Sequence, residues 1–221
     1  MKKILAIGLC VISVMGLIAC GNTKTNEKNP DTENKTEAVT NEETDKKLSP
    51  SMQEIFNENI EELGWRDFAV NLDGNTISLP VRVIWLYQIG FKEVELEKHT
   101  HTIKGNETIS ATTTYKGCDI DVTIANLDAH NNIAPIQECF IIDLTIKDIL
   151  KLKDCGSKII LPGGIDPYNC TEKQLLQMYG EPSSEKNKTY QWFMSENSLL
   201  EITMKNKKEI KGVTIKNNIT E

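Results

Sequence analysis

The sequence lacks the short motifs that mark several large enzyme classes. It contains no G-x-S-x-G, which surrounds the nucleophile of many serine hydrolases, and no C-x-x-C of thiol redox proteins. Gly163-Gly164 has no surrounding strand–loop–Lys phosphate motif, so a turn is the simpler interpretation. A Cys–His dyad from distant positions stays open, although no pattern supports one. We therefore expect a protein that is not an enzyme and needs no cofactor.

Positive charge is scarce relative to negative charge. The chain carries 25 Lys and Arg against 32 Asp and Glu, which gives a formal charge of −7. Removal of residues 1–19, argued below, would also remove Lys2 and Lys3 and lower the charge to −9. Nucleic acid and anionic lipid headgroups repel an acidic chain. We expect no nucleic-acid partner.

The apolar run at the amino terminus, residues 4–18, is too short for an ordinary membrane-spanning helix, which needs about 20 residues. It follows Lys2 and Lys3, and the order of positive, apolar and small residues is typical of a secretory signal peptide. The run ends in Leu17-Ile18-Ala19-Cys20. This ending resembles the lipobox of bacterial lipoproteins.

The lipobox resemblance implies a cellular location for the protein. Residues 1–19 would be a lipoprotein signal peptide, and Cys20 would become the first residue, carrying diacylglycerol on its sulfur. Two acyl chains give the stable anchoring that a single chain does not. The membrane is then the first expected partner, at the extracytoplasmic face. An ordinary secretory peptide with an incidental cysteine is the alternative. With only Arg66 and Arg82 as arginines, the composition indicates an AT-rich genome and favours a Gram-positive host.

Residues 20–47 are predicted to be the lipidated cysteine and a disordered tether. Between residues 21 and 47 only Ala38 and Val39 are apolar. Such a segment cannot bury enough surface to offset the entropy of ordering it. The folded part is therefore expected to begin near residue 48.

Periodic apolar residues and turn signals predict the elements of the folded part. A capping box at Ser51–Glu54 predicts a helix over 51–63. Asp73-Gly74-Asn75 predicts a hairpin over 68–79, and Pro80 opens a helix over 81–89. A second capping box, Thr171–Gln174, opens another helix. Strands are expected at 108–114, 118–126, 137–147, 189–194, 199–204 and 210–216.

The pattern I-x-L-P occurs twice, at Ile77–Pro80 and Ile159–Pro162. A helix, a glycine and three strands follow each copy in the predicted order. We therefore predict an α+β fold of two tandem β-α-β-β-β units, each a helix packed on an antiparallel sheet, preceded by one helix. The units would span 48–154 and 155–221. A chance match of four residues is the alternative.

The second unit carries a further resemblance. Its helix runs to Tyr179-Gly180-Glu181-Pro182, followed by Tyr190-Gln-Trp192-Phe193 and by a hairpin ending in Lys211-Gly-Val213-Thr-Ile215. This pattern is similar to that of the SmpA/OmlA small lipoproteins and the tandem repeats of the β-lactamase-inhibitor protein. The resemblance implies a module that binds proteins and does not catalyse. It identifies no partner.

Four cysteines remain in the folded part, namely Cys118, Cys139, Cys155 and Cys170, and they allow three pairings. Strand alternation puts Cys118 on the apolar face of its strand and Cys139 on the other face, which disfavours that pair. Cys155 and Cys170 would close a 16-residue loop and are a possible disulfide. Four free thiols are the alternative.

Other candidate groups favour structural interpretations. His99 and His101 share one side of an extended segment and could bind zinc or copper with His130, but solvated histidines are the simpler interpretation. Paired carboxylates could be an acid and a base or calcium ligands, but the outer face of a half-buried sheet explains them better. The carboxylates are Asp119, Asp121 and Asp128. We expect no metal site, and Trp85 and Trp192 are expected to be core residues.

These observations favour a membrane-anchored extracytoplasmic lipoprotein whose folded part is a non-catalytic module that binds a protein or a cell-wall component. A solute-binding lipoprotein of an importer is the first alternative, although the folded part is short for two lobes. A small envelope hydrolase is the second, and it would need a nucleophile that the sequence does not reveal.

Overall fold

A large antiparallel sheet forms the centre of the folded part, which this computed structural model describes over residues 56–94, 101–130 and 132–218. In these ranges the strands are β1 (Ala69–Leu72), β2 (Asn75–Ser78), β3 (Val81–Arg82), β4 (Thr102–Ile103), β5 (Thr108–Tyr115), β6 (Cys118–Ala125), β7 (Ala134–Pro135), β8 (Phe140–Ile146), β9 (Ile159–Ile160), β10 (Ser184–Lys186), β11 (Thr189–Ser195), β12 (Ser198–Asn206) and β13 (Glu209–Asn217). The α-helices are α1 (Val83–Gln88), α2 (Ile149–Asp154) and α3 (Glu172–Tyr179). None of these helices is long and apolar enough to cross a bilayer.

The central sheet has eight strands. Seven follow the order β10-β11-β12-β13-β8-β6-β5, and β3 pairs with the beginning of β8. Two smaller sheets accompany it, one of order β2-β1-β9 and one formed by β4 and β7.

The register of the central sheet produces one continuous apolar row. Successive side chains of a strand point to opposite faces. The cross-strand partners on the inner face are Trp192, Leu200, Ile215, Leu144, Val122 and Ala111. The first five are at most 2% exposed. Each fully buried aliphatic side chain contributes roughly 1.5–3 kcal/mol. A slip of one residue would turn such a set toward solvent, so burial fixes the register.

The prediction of an α+β fold with two tandem β-α-β-β-β units is wrong. β8 belongs to the first predicted unit and β13 to the second, yet they are neighbours, with Leu144 opposite Ile215 and Ile146 opposite Val213. Strands from both halves therefore build one sheet in a mostly-β structure. Local periodicity identifies strands, but it does not specify which distant strands pair.

The two I-x-L-P copies do not open separate units but meet in the three-stranded sheet. Ile77 lies opposite Val70 along one edge of β1, and Ile159 lies opposite Leu72 along the other edge. All four side chains are buried. The repeated pattern therefore reflects two strands that flank the same central strand and face the same core.

The first predicted helix is also corrected. Residues 51–55 lie outside the described residues, and residues 57–63 form coil and a turn in place of the predicted helix. Phe56 is still helical, and both Phe56 and Ile60 are buried, so these apolar positions contribute to the core although the helix does not continue to residue 63.

The other two predicted helices are confirmed as α1 and α3. In α3 the capping box is complete, because Thr171 Oγ1 accepts from the Gln174 N–H at 3.2 Å and Gln174 Oε1 accepts from the Thr171 N–H at 2.9 Å. Tyr179 at its end packs edge-on against Trp192, with ring centroids 5.5 Å apart. Helix α2 was not predicted, and its six residues give little periodicity.

One carboxylate joins three segments that are distant in sequence. Asp73, in the β1–β2 turn, accepts hydrogen bonds from the Tyr115 hydroxyl at 2.7 Å and the Lys158 N–H at 2.7 Å, and pairs with Lys116 at 2.8 Å. Burial alone would raise the pKa of Asp73, but these hydrogen bonds and the charge of Lys116 outweigh it and lower that pKa below its usual value. Asp73 therefore ties the β5–β6 turn to the segment after α2.

Replacing Gly212 with alanine should destabilise the central sheet. A Cβ at this position would lie 2.9 Å from the Ile146 carbonyl oxygen and 3.1 Å from that of Lys147, both backbone atoms of the neighbouring strand end. Gly212→Ala should lower the free energy of unfolding by about 1–3 kcal/mol in urea titrations. Gly64→Ala is the control, because its new Cβ would meet only Asp67 Oδ2 at 3.8 Å. Equal stabilities of the two variants would contradict the close approach.

Asp73→Asn should destabilise the fold at pH 7, by about 1–3 kcal/mol, because it removes a charged hydrogen-bond acceptor. The pKa of Asp73 is lowered in the folded state, so its contribution is complete above the unfolded value and is lost as pH falls through the folded pKa. Urea titrations should therefore show the difference from wild type shrinking below about pH 4. Asp119→Asn, at an exposed position, makes the same charge change and should cost little. A pH-independent deficit in Asp73→Asn would refute the linkage.

Candidate binding surface

The outer face of the central sheet carries a polar row that crosses seven strands. Its members are cross-strand partners in one continuous register, and each is half-buried: Ser184, Gln191, Glu201, Thr214, Thr145, Asp121 and Thr112. With strands about 4.8 Å apart, the row is about 30 Å long. We call this set the polar row.

A second row runs parallel to the polar row, two residues along each strand. It consists of Phe193, Leu199, Lys216, Asp143, Thr123 and Ser110. It is apolar at the β11–β12 end and polar or charged elsewhere. The two rows together define what we call the sheet face.

Hydrogen bonds between neighbouring strands fix six of the seven side chains of the polar row. Gln191 Nε2 donates to Glu201 Oε2 at 2.6 Å, and Thr112 Oγ1 donates to Asp121 Oδ1 at 3.3 Å. The hydroxyls of Thr145 and Thr214 lie 3.0 Å apart across the β8–β13 pair. Side chains held in this way lose less entropy when a partner binds, so the surface is preorganised.

Three carboxylates lie together near the centre of the sheet face. Burial raises the pKa of Asp143, and the negative charges of Glu201 and Asp121 raise it further, against the hydrogen bond from Thr145 and the charge of Lys216. Asp121 also pairs with Lys147. The centre of the sheet face is therefore a charged patch in which acidic groups outnumber nearby lysines.

Large exposed apolar side chains lie at one end of the sheet face. Phe193 is 40% exposed and Met194 is 64% exposed, whereas Trp192 beside them is buried. Strict alternation along β11 would turn Met194 inward like Trp192, but an irregularity in the register between Phe193 and Ser195 breaks the alternation and leaves Met194 exposed. Aromatic residues and Met are enriched where proteins bind each other.

A separate open groove of about 560 Å³ lies beside α3. Its polar groups already hold local structure. Asp166 accepts from the Tyr168 N–H at 2.9 Å and from Asn169 Nδ2 at 2.8 Å, and Gln174 belongs to the capping box of α3. Gly163-Gly164, which line the groove, form the turn expected from the sequence.

The structure does not join the two cysteines predicted to form a disulfide. All four thiols in the folded part are free, and the nearest thiol partner of Cys155 Sγ is Cys118 Sγ at 3.1 Å. Cys170 Sγ instead donates to the Thr171 carbonyl at 3.4 Å, and Cys139 Sγ donates to the Pro135 carbonyl at 3.4 Å. The Cys155–Cys170 bridge stays a prediction, but its two sulfurs have different neighbours here.

None of the buried thiols in the described part of the chain has the lowered pKa that is typical of a catalytic cysteine. Burial raises the pKa of Cys118, Cys139 and Cys170 to about 11 in each case. The thiolate is the reactive form of cysteine, and catalytic cysteines have a lowered pKa.

The remaining candidate residues are scattered. Cys20 and His99 lie outside the described residues. His101 is an exposed residue before β4, and His130 is exposed in another loop, with its Nδ1 3.4 Å from Asp128 Oδ1. Within residues 56–94, 101–130 and 132–218, no three His, Cys, Asp or Glu side chains form a group able to hold a metal ion. Asp119 and Asp121 lie on the outer side of β6, as expected.

No protein-family model, curated protein or solved structure is significantly similar to this chain. The resemblance to the SmpA/OmlA lipoproteins and to the β-lactamase-inhibitor protein therefore stays a prediction, and so does the lipobox. The predicted tandem architecture, however, is replaced by the single sheet described above.

Sequence reasoning identified single strands of the sheet face but not the face itself. The alternating Thr, Asp and Glu positions of β5, β6, β8 and β12 were the available signal, but only those of β6 were interpreted as the outer face of a sheet. Only the order and register of the strands show that these positions form continuous rows.

Proposed function

We propose that the chain is a lipoprotein anchored at the extracytoplasmic face of the cell membrane through Cys20, and that its folded part is a non-catalytic binding module for a protein or cell-wall component. The Leu17–Cys20 sequence supports the proposed membrane location. The sheet face, with its preorganised polar row beside exposed apolar side chains, is the observation that carries the binding role.

The dimensions of the sheet face favour a macromolecule as the partner. A protein interface of standard size buries about 800 Å² on each partner, which corresponds to a patch roughly 30 Å across. The polar row, about 30 Å long, matches this dimension. Small ligands are instead held in concave pockets that enclose most of their surface. The groove beside α3 is open, and its polar groups are already used by the capping box and the Asp166 turn. This comparison favours the binding module over a solute-binding protein.

Replacing Cys20 with alanine should release the protein from the membrane, because the thioether to diacylglycerol requires its sulfur. Cell fractionation should show the wild-type chain in the membrane pellet and Cys20→Ala outside it. Cys10→Ala is the matched control, since Cys10 lies within the apolar run of the signal peptide, and it should leave the chain in the pellet. Unchanged membrane partition of Cys20→Ala would refute the anchor.

Replacing Phe193 with alanine should weaken binding without unfolding the protein. Its ring is 40% exposed at the apolar end of the sheet face, so truncation leaves the core unchanged. Aromatic side chains are frequent hot spots, and we expect at least about a tenfold loss of affinity. The readout is the yield of a covalent adduct formed by cross-linking in intact cells, followed by mass identification with and without wall digestion.

Ile133→Ala is the control for this experiment, because Ile133 is 63% exposed and directly precedes β7, which belongs to the separate β4–β7 sheet. The adduct should persist in Ile133→Ala and fall in Phe193→Ala. An adduct that digestion of the wall removes identifies a wall polymer, and one that survives identifies a protein. Equal adduct yields in both variants would count against the sheet face as the binding surface.

A further inference from the structure

Two cysteines that no sequence pattern pairs lie in contact. Cys118 is the first residue of β6, and Cys155 follows the last residue of α2, 37 positions later. Their sulfurs are 3.1 Å apart, about 1 Å more than the covalent distance in a disulfide. We propose that Cys118 and Cys155 are a disulfide-forming pair that covalently links the start of β6 to the end of α2.

The approach of the two sulfurs is held by contacts that do not involve sulfur. The Lys158 N–H, three residues after Cys155, donates to Asp73, and Lys116, two residues before Cys118, pairs with the same carboxylate. The backbone on either side of the pair is thereby fixed at one point. Bond formation therefore requires a small side-chain adjustment and leaves the backbone in place.

The difference in exposure determines which of the two thiols reacts with an oxidant first. Cys155 is exposed and Cys118 is buried. A disulfide oxidant, either a thiol-oxidising protein or a low-molecular-weight disulfide, therefore reaches Cys155 first. The Cys155 thiol gives up its proton and attacks one oxidant sulfur, and the other oxidant sulfur leaves as a thiolate that takes up this proton.

The second step closes the bridge. The Cys118 thiol gives up its proton and attacks Cys155 Sγ, which breaks the mixed disulfide and releases the second oxidant sulfur as a thiol. Two protein thiols are thus oxidised to one disulfide, and the oxidant disulfide is reduced to two thiols. The neighbouring position of Cys118 makes this step intramolecular.

The remaining thiols are not placed to compete. Cys139 and Cys170 are buried, and each donates to a backbone carbonyl, of Pro135 and Thr171 respectively. In the oxidised protein we therefore expect these two to stay as free thiols. The ability of Cys118 and Cys155 to form a disulfide depends only on the proximity of their sulfurs. Formation of this disulfide in the cell rests on the proposed extracytoplasmic location.

The test uses the purified full chain in detergent, first reduced and then equilibrated with oxidised glutathione. Digestion without reductant should yield one cross-linked peptide pair containing Cys118 and Cys155. Oxidation should raise the melting temperature by about 5–15 °C, because the bridge closes a long loop of the unfolded chain. Cys155→Ser, at an exposed position, should fold but lose this rise, and Cys139→Ala should retain the rise.

A Cys155–Cys170 peptide pair, or free Cys118 and Cys155 after oxidation, would overturn the proposal. A second arm blocks thiols with N-ethylmaleimide in intact cells before extraction. The same bridge in cell-derived protein supports both the pair and the location. A bridge that forms in the purified chain but not in cells supports the pair and counts against the extracytoplasmic location, so the two failures are distinguishable.

Discussion

The register between β8 and β13 is the constraint on which the rest of the structure depends. It places Leu144 opposite Ile215 on the inner face, and the same register places Thr145 opposite Thr214 on the outer face. The buried side supplies the free energy, because both aliphatic side chains are fully inaccessible. The same register also aligns the side chains of the exposed face, because successive residues of a strand point to opposite faces. A hydrophobic core built from both halves of the chain thereby also produces one broad polar surface. Gly212 belongs to this arrangement, because its missing side chain leaves room for the end of β8.

Local signals in the sequence were sufficient for many elements. The alternating positions of β5, β6, β11, β12 and β13 and the capping box of α3 predicted those elements close to their observed bounds. Long-range pairing was not predictable in the same way, because an apolar strand face fits many partners. The I-x-L-P pair shows the problem, since two similar strands at the opposite edges of β1 look like the starts of two units. Two further features depend on the register and on long-range contacts, which the sequence does not specify. An irregular register exposes Met194, and the neighbour of Cys155 lies 37 positions earlier in the chain.

The proposals for location, binding and disulfide formation are consistent with one another. A chain anchored through Cys20 outside the cytoplasm would meet disulfide oxidants, and the Cys118–Cys155 pair lies where Asp73 already joins its two flanking segments. A disulfide between Cys118 and Cys155 would stiffen the connection between β6 and α2. Strand β6 contributes Asp121 and Thr123 to the sheet face. The proposed binding surface lies on strands and not on loops, and this favours a precise geometry for a partner. The acidic centre and the apolar end at Phe193 give the surface distinct regions for recognition.

The most direct test of this account is to detect the β8–β13 pairing in solution. Nuclear Overhauser effects should connect the backbone protons of Leu144 and Thr145 with those of Thr214 and Ile215, and the amides that bridge these strands should exchange slowly with deuterated solvent. The single-sheet account predicts both observations. Cross-strand effects confined to residues 48–154 and to 155–221, with none between the two ranges, would contradict it and would remove the basis of the sheet face.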